Sequence, residues 1–164
     1  KVFVLVALTL AAMSVSAQVK LGHIETQKLI QAMPEWTAAQ KTFEEEQKKV
    51  NTELNSLREQ FQTKLAEYSE KMKTYSEAMR ATTEEELQGL QQRIQRFQET
   101  AMAQLEKTQN DLMQPVMEKA LNAIKEVGKE NGFTYIFDMN AGILYAAENS
   151  QDVLPLVKKK LGLQ

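Results

Sequence analysis

Cysteine is absent from the 164 residues and histidine occurs once. No disulfide can hold the fold, so packing alone must do so. The usual zinc sites and the Cys–His nucleophile pair are excluded as well. There is no glycine-rich phosphate loop, nucleophile elbow or metal-ligand spacing, so the chain reads as a non-enzyme with no cofactor. His23 lies in a strand candidate and reads as structural. Paired glutamates such as Glu84-Glu85-Glu86 are ordinary on a soluble helix, where acidic side chains near a helix start favour the dipole.

Hydrophobic residues make up 43% of the chain but are unevenly spread. Residues 1–17, KVFVLVALTLAAMSVSA, have a basic start, an apolar run and a small-residue end at Val15-Ser16-Ala17. This reads as a secretory signal peptide cut before Gln18, because the run is shorter than the ~20 residues of a spanning helix. From Gln18 onward the chain has 19 basic and 22 acidic residues, net −3. Nucleic acid is not an expected partner at that charge and outside the cytoplasm.

The middle of the chain predicts two helices. Val50, Leu54, Leu57, Phe61, Leu65, Tyr68, Met72, Tyr75 and Met79 advance by threes and fours, a narrow coiled-coil seam. A double step of four at Leu57-Phe61-Leu65 is a stutter. Thr82 and Thr83 each precede a glutamate by three residues, as in a capping box, so a second helix is expected to start there, with Gly89 one turn in. Its seam runs from Leu87 through Leu90, Ile94, Phe97, Ala101, Leu105, Thr108 and Leu112 to Val116, with a stutter at Phe97-Ala101-Leu105. Pairing Met79 with Leu87, Tyr75 with Leu90 and so on to Val50 with Val116 gives numbers that sum to 165 or 166. The expectation is an antiparallel hairpin turning near Thr82, stutter facing stutter, about 50 Å long at ~1.5 Å per residue. Residues 44–114 hold 10 basic and 14 acidic side chains, net −4, a solvated face. Pro115 interrupts the return helix opposite Asn51 in this pairing, as a hinge or a fixed bend.

The chain ends differ. QVKLGHI is a strand candidate. ETQKLIQAMPEW starts a helix, with Thr26 as N-cap and Pro34 as kink or restart. Asn131-Gly132 stops the return helix. FTYIFD and ILYA read as two further strands, and Asp152 caps a last helix, VLPLVKKKLG. Lys158-Lys159-Lys160 suits a helix C-terminus, with peripheral membrane contact as its alternative use. So small a β region cannot cover its own aromatic strands, and an uncovered edge aggregates. Phe133, Tyr135, Phe137, Ile143 and Tyr145 are therefore expected to hold an oligomer together. The fold class is α+β, mostly α. A coiled-coil hairpin arm, 44–116, projects from a β-containing oligomerisation body made of 18–43 and 117–164.

VKLGHIETQKLIQAMPE, the long hairpin and the ending from MEKALNAIKEVGKENGFTYIFD through ILYA and DVLPLV together resemble the Skp/OmpH family of periplasmic chaperones. That resemblance implies a homotrimer whose helical arms enclose a cavity. It also implies ATP-independent holding of unfolded outer-membrane β-barrel proteins until they insert. The best-known members are strongly basic, whereas this chain has a pI near 5.6. Apolar contacts would have to do more of the capture. Met72, Met79, Met102, Met113 and Met117 are the candidates, since methionine adapts to varied partners. Met72 and Met79 are also expected in the seam, so client binding is assigned first to Met102, Met113 and Met117. The competing reading is a scaffolding coiled coil of the envelope that holds no client.

Overall fold

Met33 and Pro34 break the first helical segment from the next. Proline at the first position of a helix loses no hydrogen bond and has its φ preset. In the computed structural model, which describes residues 19–147 and 150–163, α1 accordingly spans Thr26–Gln31 and α2 restarts at Pro34 and runs to Lys71. A second long helix, α3, covers Glu77–Glu130. Strands β1 (Leu21–Ile24), β2 (Tyr135–Asp138) and β3 (Gln151–Asp152) and helix α4 (Leu154–Lys160) complete the chain. The expected signal peptide, 1–17, lies outside the described residues. The fold is mostly helical, with a long helix pair and a small sheet. It groups into two units, one of residues up to Leu29 and from Leu121 onward, the other Ile30–Ala120.

The first unit is built on the sheet, ordered β2-β1-β3. Both pairings are parallel: Leu21 lies opposite Tyr135 and Ile24 opposite Asp138, while Gly22 faces Gln151 and His23 faces Asp152. Ile24, Leu29, Val127, Val153 and Val157 are almost wholly buried and form the core. Gly22 permits a close approach, since a Cβ there would stand 2.8 Å from the Phe133 ring and 3.0 Å from Val153. The stop at Asn131-Gly132 is a Schellman motif. The Gly132 N–H donates to the Lys129 carbonyl and the Phe133 N–H to that of Gly128, with Gly132 at φ 68°. α4 starts one residue later than expected, with Val153 and not Asp152 as its N-cap and no side-chain cap bond; Asp152 Oδ1, one position earlier, still accepts the Leu154 N–H at 2.8 Å. Thr26 begins α1, and its own N–H is taken by Asp138 Oδ1 at 3.3 Å, so the carboxylate that caps α1 comes from β2. The ILYA segment is not a strand: residues 143–147 are irregular, and the third strand is the polar pair Gln151–Asp152. Ile143 to Ala146 has strand composition but no ladder partner among the described residues.

The second unit is an antiparallel helix pair. Lys119 of α3 bonds Glu35 of α2, Lys64 meets Glu86, and Tyr68 donates to Glu84. The numbers in these pairs sum to 154, 150 and 152. The expected pairing is therefore displaced by about two heptads, and the turn lies at Met72–Ser76, not near Thr82. Ser76 Oγ accepts the Met79 N–H at 3.3 Å and caps α3. Thr82 and Thr83 sit inside the helix, where their hydroxyls donate to the Ala78 and Met79 carbonyls. Gly89 is consequently three turns into α3, and a Cβ there would meet nothing within 4 Å. In this register the stutters do not face each other, and Pro115 lines a cleft with Glu35, Ala38 and Thr42 instead of facing Asn51. Ala39, Leu57, Leu87, Ala101 and Val116 are buried along the seam, while Val50, Phe61, Ile94 and Leu105 are half-buried. Such a narrow apolar stripe is what a two-helix contact can cover.

Candidate functional site

In the first unit, alternation along β2 sends its side chains to opposite faces. Ile136 points inward, close to where a Cβ of Gly128 would be. Tyr135 and Phe137 face out, 61% and 43% exposed, with their rings stacked at 6.1 Å. β2 ends the sheet on one side, so an outward aromatic face adjoins an open ladder edge. Phe133 does not join it: its ring packs against Gly22 and lies under the Lys20 ammonium, 4.2 Å from the centroid. In the connection that follows, Tyr145 is exposed, Ile143 is half-buried and Leu144 is 99% exposed. Leu144 is an exposed apolar residue of this connection that the alternation did not select.

His23 Nδ1 lies 2.8 Å from Ser150 Oγ and ties the central strand to the residue before β3. Among the described residues no group of three or more His, Asp or Glu could hold a metal. Lys160, in the basic run of α4, reaches back to Glu130 and Glu126 at 2.6 and 3.1 Å. Its hydrogen bonds to Glu130 and then Glu126 raise its pKa above the ordinary lysine value. That places Lys160 in a helix-terminal ion pair.

In the second unit, Met102 is 73% exposed on α3, Met113 is half-buried and Met117 is exposed. Residues eleven and fifteen apart on a helix return to within about 60° of one another, so these three methionines share one side of α3. Met72 and Met79 are exposed at the turn, not in the seam. Pro115 is exposed. Around Ala39 the pair opens into a cleft of about 270 Å³ lined by Trp36, Phe43, Leu112 and Met113. On the acidic side of the balance, the bond from Lys119 holds the Glu35 carboxyl below its ordinary value.

Residues 20–161 match the profile of the OmpH-like outer membrane protein family. The chain belongs to that family. A crystal structure of an OmpH-like protein from Caulobacter crescentus CB15, assigned as an outer membrane chaperone, has the same fold. Its TM-score is 0.77 at 16% identity, over 87% of this chain and 83% of that one. No curated protein matches the chain. Among the described residues, no helix of this OmpH-like chain is long and apolar enough to cross a membrane.

The sequence reading missed Trp36 and Phe43 as surface-forming residues. Trp36, Ala39 and Phe43 are spaced by three and four like the seam that begins at Val50, but the expected register placed them far from Met113.

Proposed function

We propose that this OmpH-like chain is an ATP-independent holdase chaperone of the periplasm. It keeps unfolded outer-membrane β-barrel proteins soluble in a cavity between the helical arms of a homo-oligomer, a trimer by family resemblance. Residues 1–17 direct export, 44–116 form the arm, and 18–43 with 117–164 form the assembly body. No catalytic step and no cofactor take part.

One observation carries this reading: large apolar side chains stand exposed in both units. Tyr135 and Phe137 beside the open edge of β2 suit strands of further copies, and Ile143 and Tyr145 in the connection after β2 are assigned to the same contact. Met102, Met113 and Met117 on one side of α3 suit clients that vary in sequence. The net charge of −4 over residues 44–114 works against electrostatic capture of acidic clients, which leaves apolar contact as the main attraction.

The test dilutes a urea-unfolded outer-membrane β-barrel protein into buffer with and without the purified chain and without nucleotide. Suppressed light scattering supports the reading. Unchanged aggregation removes it and leaves a scaffolding coiled coil. In parallel, Phe137→Asp should abolish the oligomer measured by multi-angle light scattering.

A further inference from the structure

Ala39 is 6% exposed and lines the cleft between α2 and α3 near Trp36. Its methyl group leaves the space between the larger neighbours unfilled. Trp36, Phe43, Leu112 and Met113 are each half-buried: part of every side chain belongs to the seam and part to the opening. The volume of about 270 Å³ falls just below the ~300 Å³ at which pockets begin to hold drug-sized ligands. It has room for one large side chain. An indole, a phenyl ring and a thioether form its walls, and thioether sulfur makes favourable contacts with aromatic rings.

The rim differs in chemistry. Gln40, Glu44 and Gln109 border the cleft and are exposed. A carboxamide both donates and accepts hydrogen bonds, as a peptide backbone does. Glu44 is the one charged residue in the lining, so the rim favours a cation beside the occupant. A neighbouring cleft shares Ala39 and Leu112 and differs in having the Glu35–Lys119 ion pair in its lining.

We infer that this cleft takes a single aromatic side chain of an extended client segment flanked by lysine or arginine, with Gln40 and Gln109 holding the backbone on either side. The inference rests on the holdase reading and names the client feature it selects. An extended chain sends alternate side chains to one side, so one aromatic enters while its neighbours stay in solvent. Strands of outer-membrane barrels alternate in this way and carry aromatic residues at their ends.

Trp36 is the sole tryptophan of the chain and therefore reports on the cleft directly. The full chain is titrated with a short tryptophan-free peptide of alternating Val and Ser, with a central Phe flanked by Lys. The expected result is a saturable change in Trp36 emission that is lost when the peptide carries Ser in place of Phe. Met113→Ala should weaken binding about three- to tenfold by removing thioether contact. Glu44→Lys, at an exposed position, should weaken it several-fold for the Lys-flanked peptide. No emission change, or an equal change with the Ser peptide, overturns the inference. So does emission that follows protein concentration without peptide, because a second copy then covers the cleft. Failure of these titrations with the barrel protein still held soluble removes the cleft alone. Successful titrations with no protection of the barrel protein remove the holdase reading and leave the cleft as a peptide site.

Discussion

Lys64 of α2 and Glu86 of α3 form an ion pair across the hairpin, with 22 positions separating them in the chain. This pair marks the register of the two helices, because a slide by one heptad on either helix would part its members by about 10 Å at 1.5 Å per residue. Cysteines at Lys64 and Glu86 should therefore be joined by a short bismaleimide spacer, which spans the reach of a lysine–glutamate pair where a disulfide would be too short. Cysteines at Leu65 and Ala101, the partners in the displaced pairing, should not. Mass spectrometry of tryptic digests distinguishes the two, and a Leu65–Ala101 product would restore the turn to Thr82.

The turn itself rests on Ser76, whose hydroxyl accepts the Met79 N–H. Ser76→Ala should lower stability by about 1 kcal/mol, the usual loss on removing an N-cap. Thr82→Ala removes a hydroxyl that bonds within the helix and replaces threonine with the best helix former, so its effect should be neutral or stabilising by about 0.5 kcal/mol. Urea denaturation of the two variants measures the contrast. A larger loss at Thr82 than at Ser76 would place the cap where the capping-box pattern put it.

Much of this fold was legible in the residues. The threes and fours of Val50 to Met79 and of Leu87 to Val116 pointed to two seam-forming helices, although the first ends at Lys71, short of Tyr75 and Met79, and the alternation in LGHI and YIFD pointed to strands. Register was not legible, for a physical reason. A heptad pattern displaced by whole heptads presents the same apolar positions to its partner, so periodicity is nearly blind to the slide. The deciding signal was local. Thr82 and Thr83 each have a glutamate three residues on, whereas Ser76 has Met79 there and looks the weaker cap. β3 was hidden because Gln151 and Asp152 are polar and two residues long. Their place in the sheet comes from pairing with Gly22 and His23, not from composition. The cleft at Trp36 followed the register error: with the helices displaced, residues 36–44 were not expected near 109–113.

Two ion pairs give stability a defined pH dependence. Glu35 has its pKa lowered, chiefly by the hydrogen bond from Lys119. Its contribution is present above the ordinary carboxyl value of 4.5 and is lost as pH falls through the lowered value. Lys160 has its pKa raised, chiefly by the bond to Glu130 and then by that to Glu126. Its contribution is complete below the ordinary value of 10.5 and is lost as pH rises through the raised one. Both pairs are solvent-screened, so each effect is small. In urea midpoints measured across pH, Glu35→Gln should differ from the parent at neutral pH and converge with it in acid. Lys160→Gln should converge with the parent in strong alkali. A constant offset at every pH would mean that packing, not charge, produced the difference.

Pro115 stands inside α3, which continues through it from Glu77 to Glu130. Proline has no N–H to give the Asp111 carbonyl, and its ring crowds that carbonyl. We propose that this position is a hinge in α3, where local opening is easier than elsewhere along the seam. Pro115→Ala restores the donor and removes the ring, so it should stabilise the chain by up to about 3 kcal/mol, the interior difference between the two residues. Stability alone does not identify a hinge, because a fixed bend would relax by the same route. Amide hydrogen exchange separates them. If α3 opens at Pro115, the amides from Val116 to Lys119 should exchange faster than those of the preceding turns in the parent, and the substitution should slow them selectively. A stabilised variant whose exchange slows evenly along α3 would make Pro115 a fixed bend that only sets the course of the helix. The least-packed site would then have to be sought at Gly89, where an added Cβ would meet nothing from the facing helix within 4 Å.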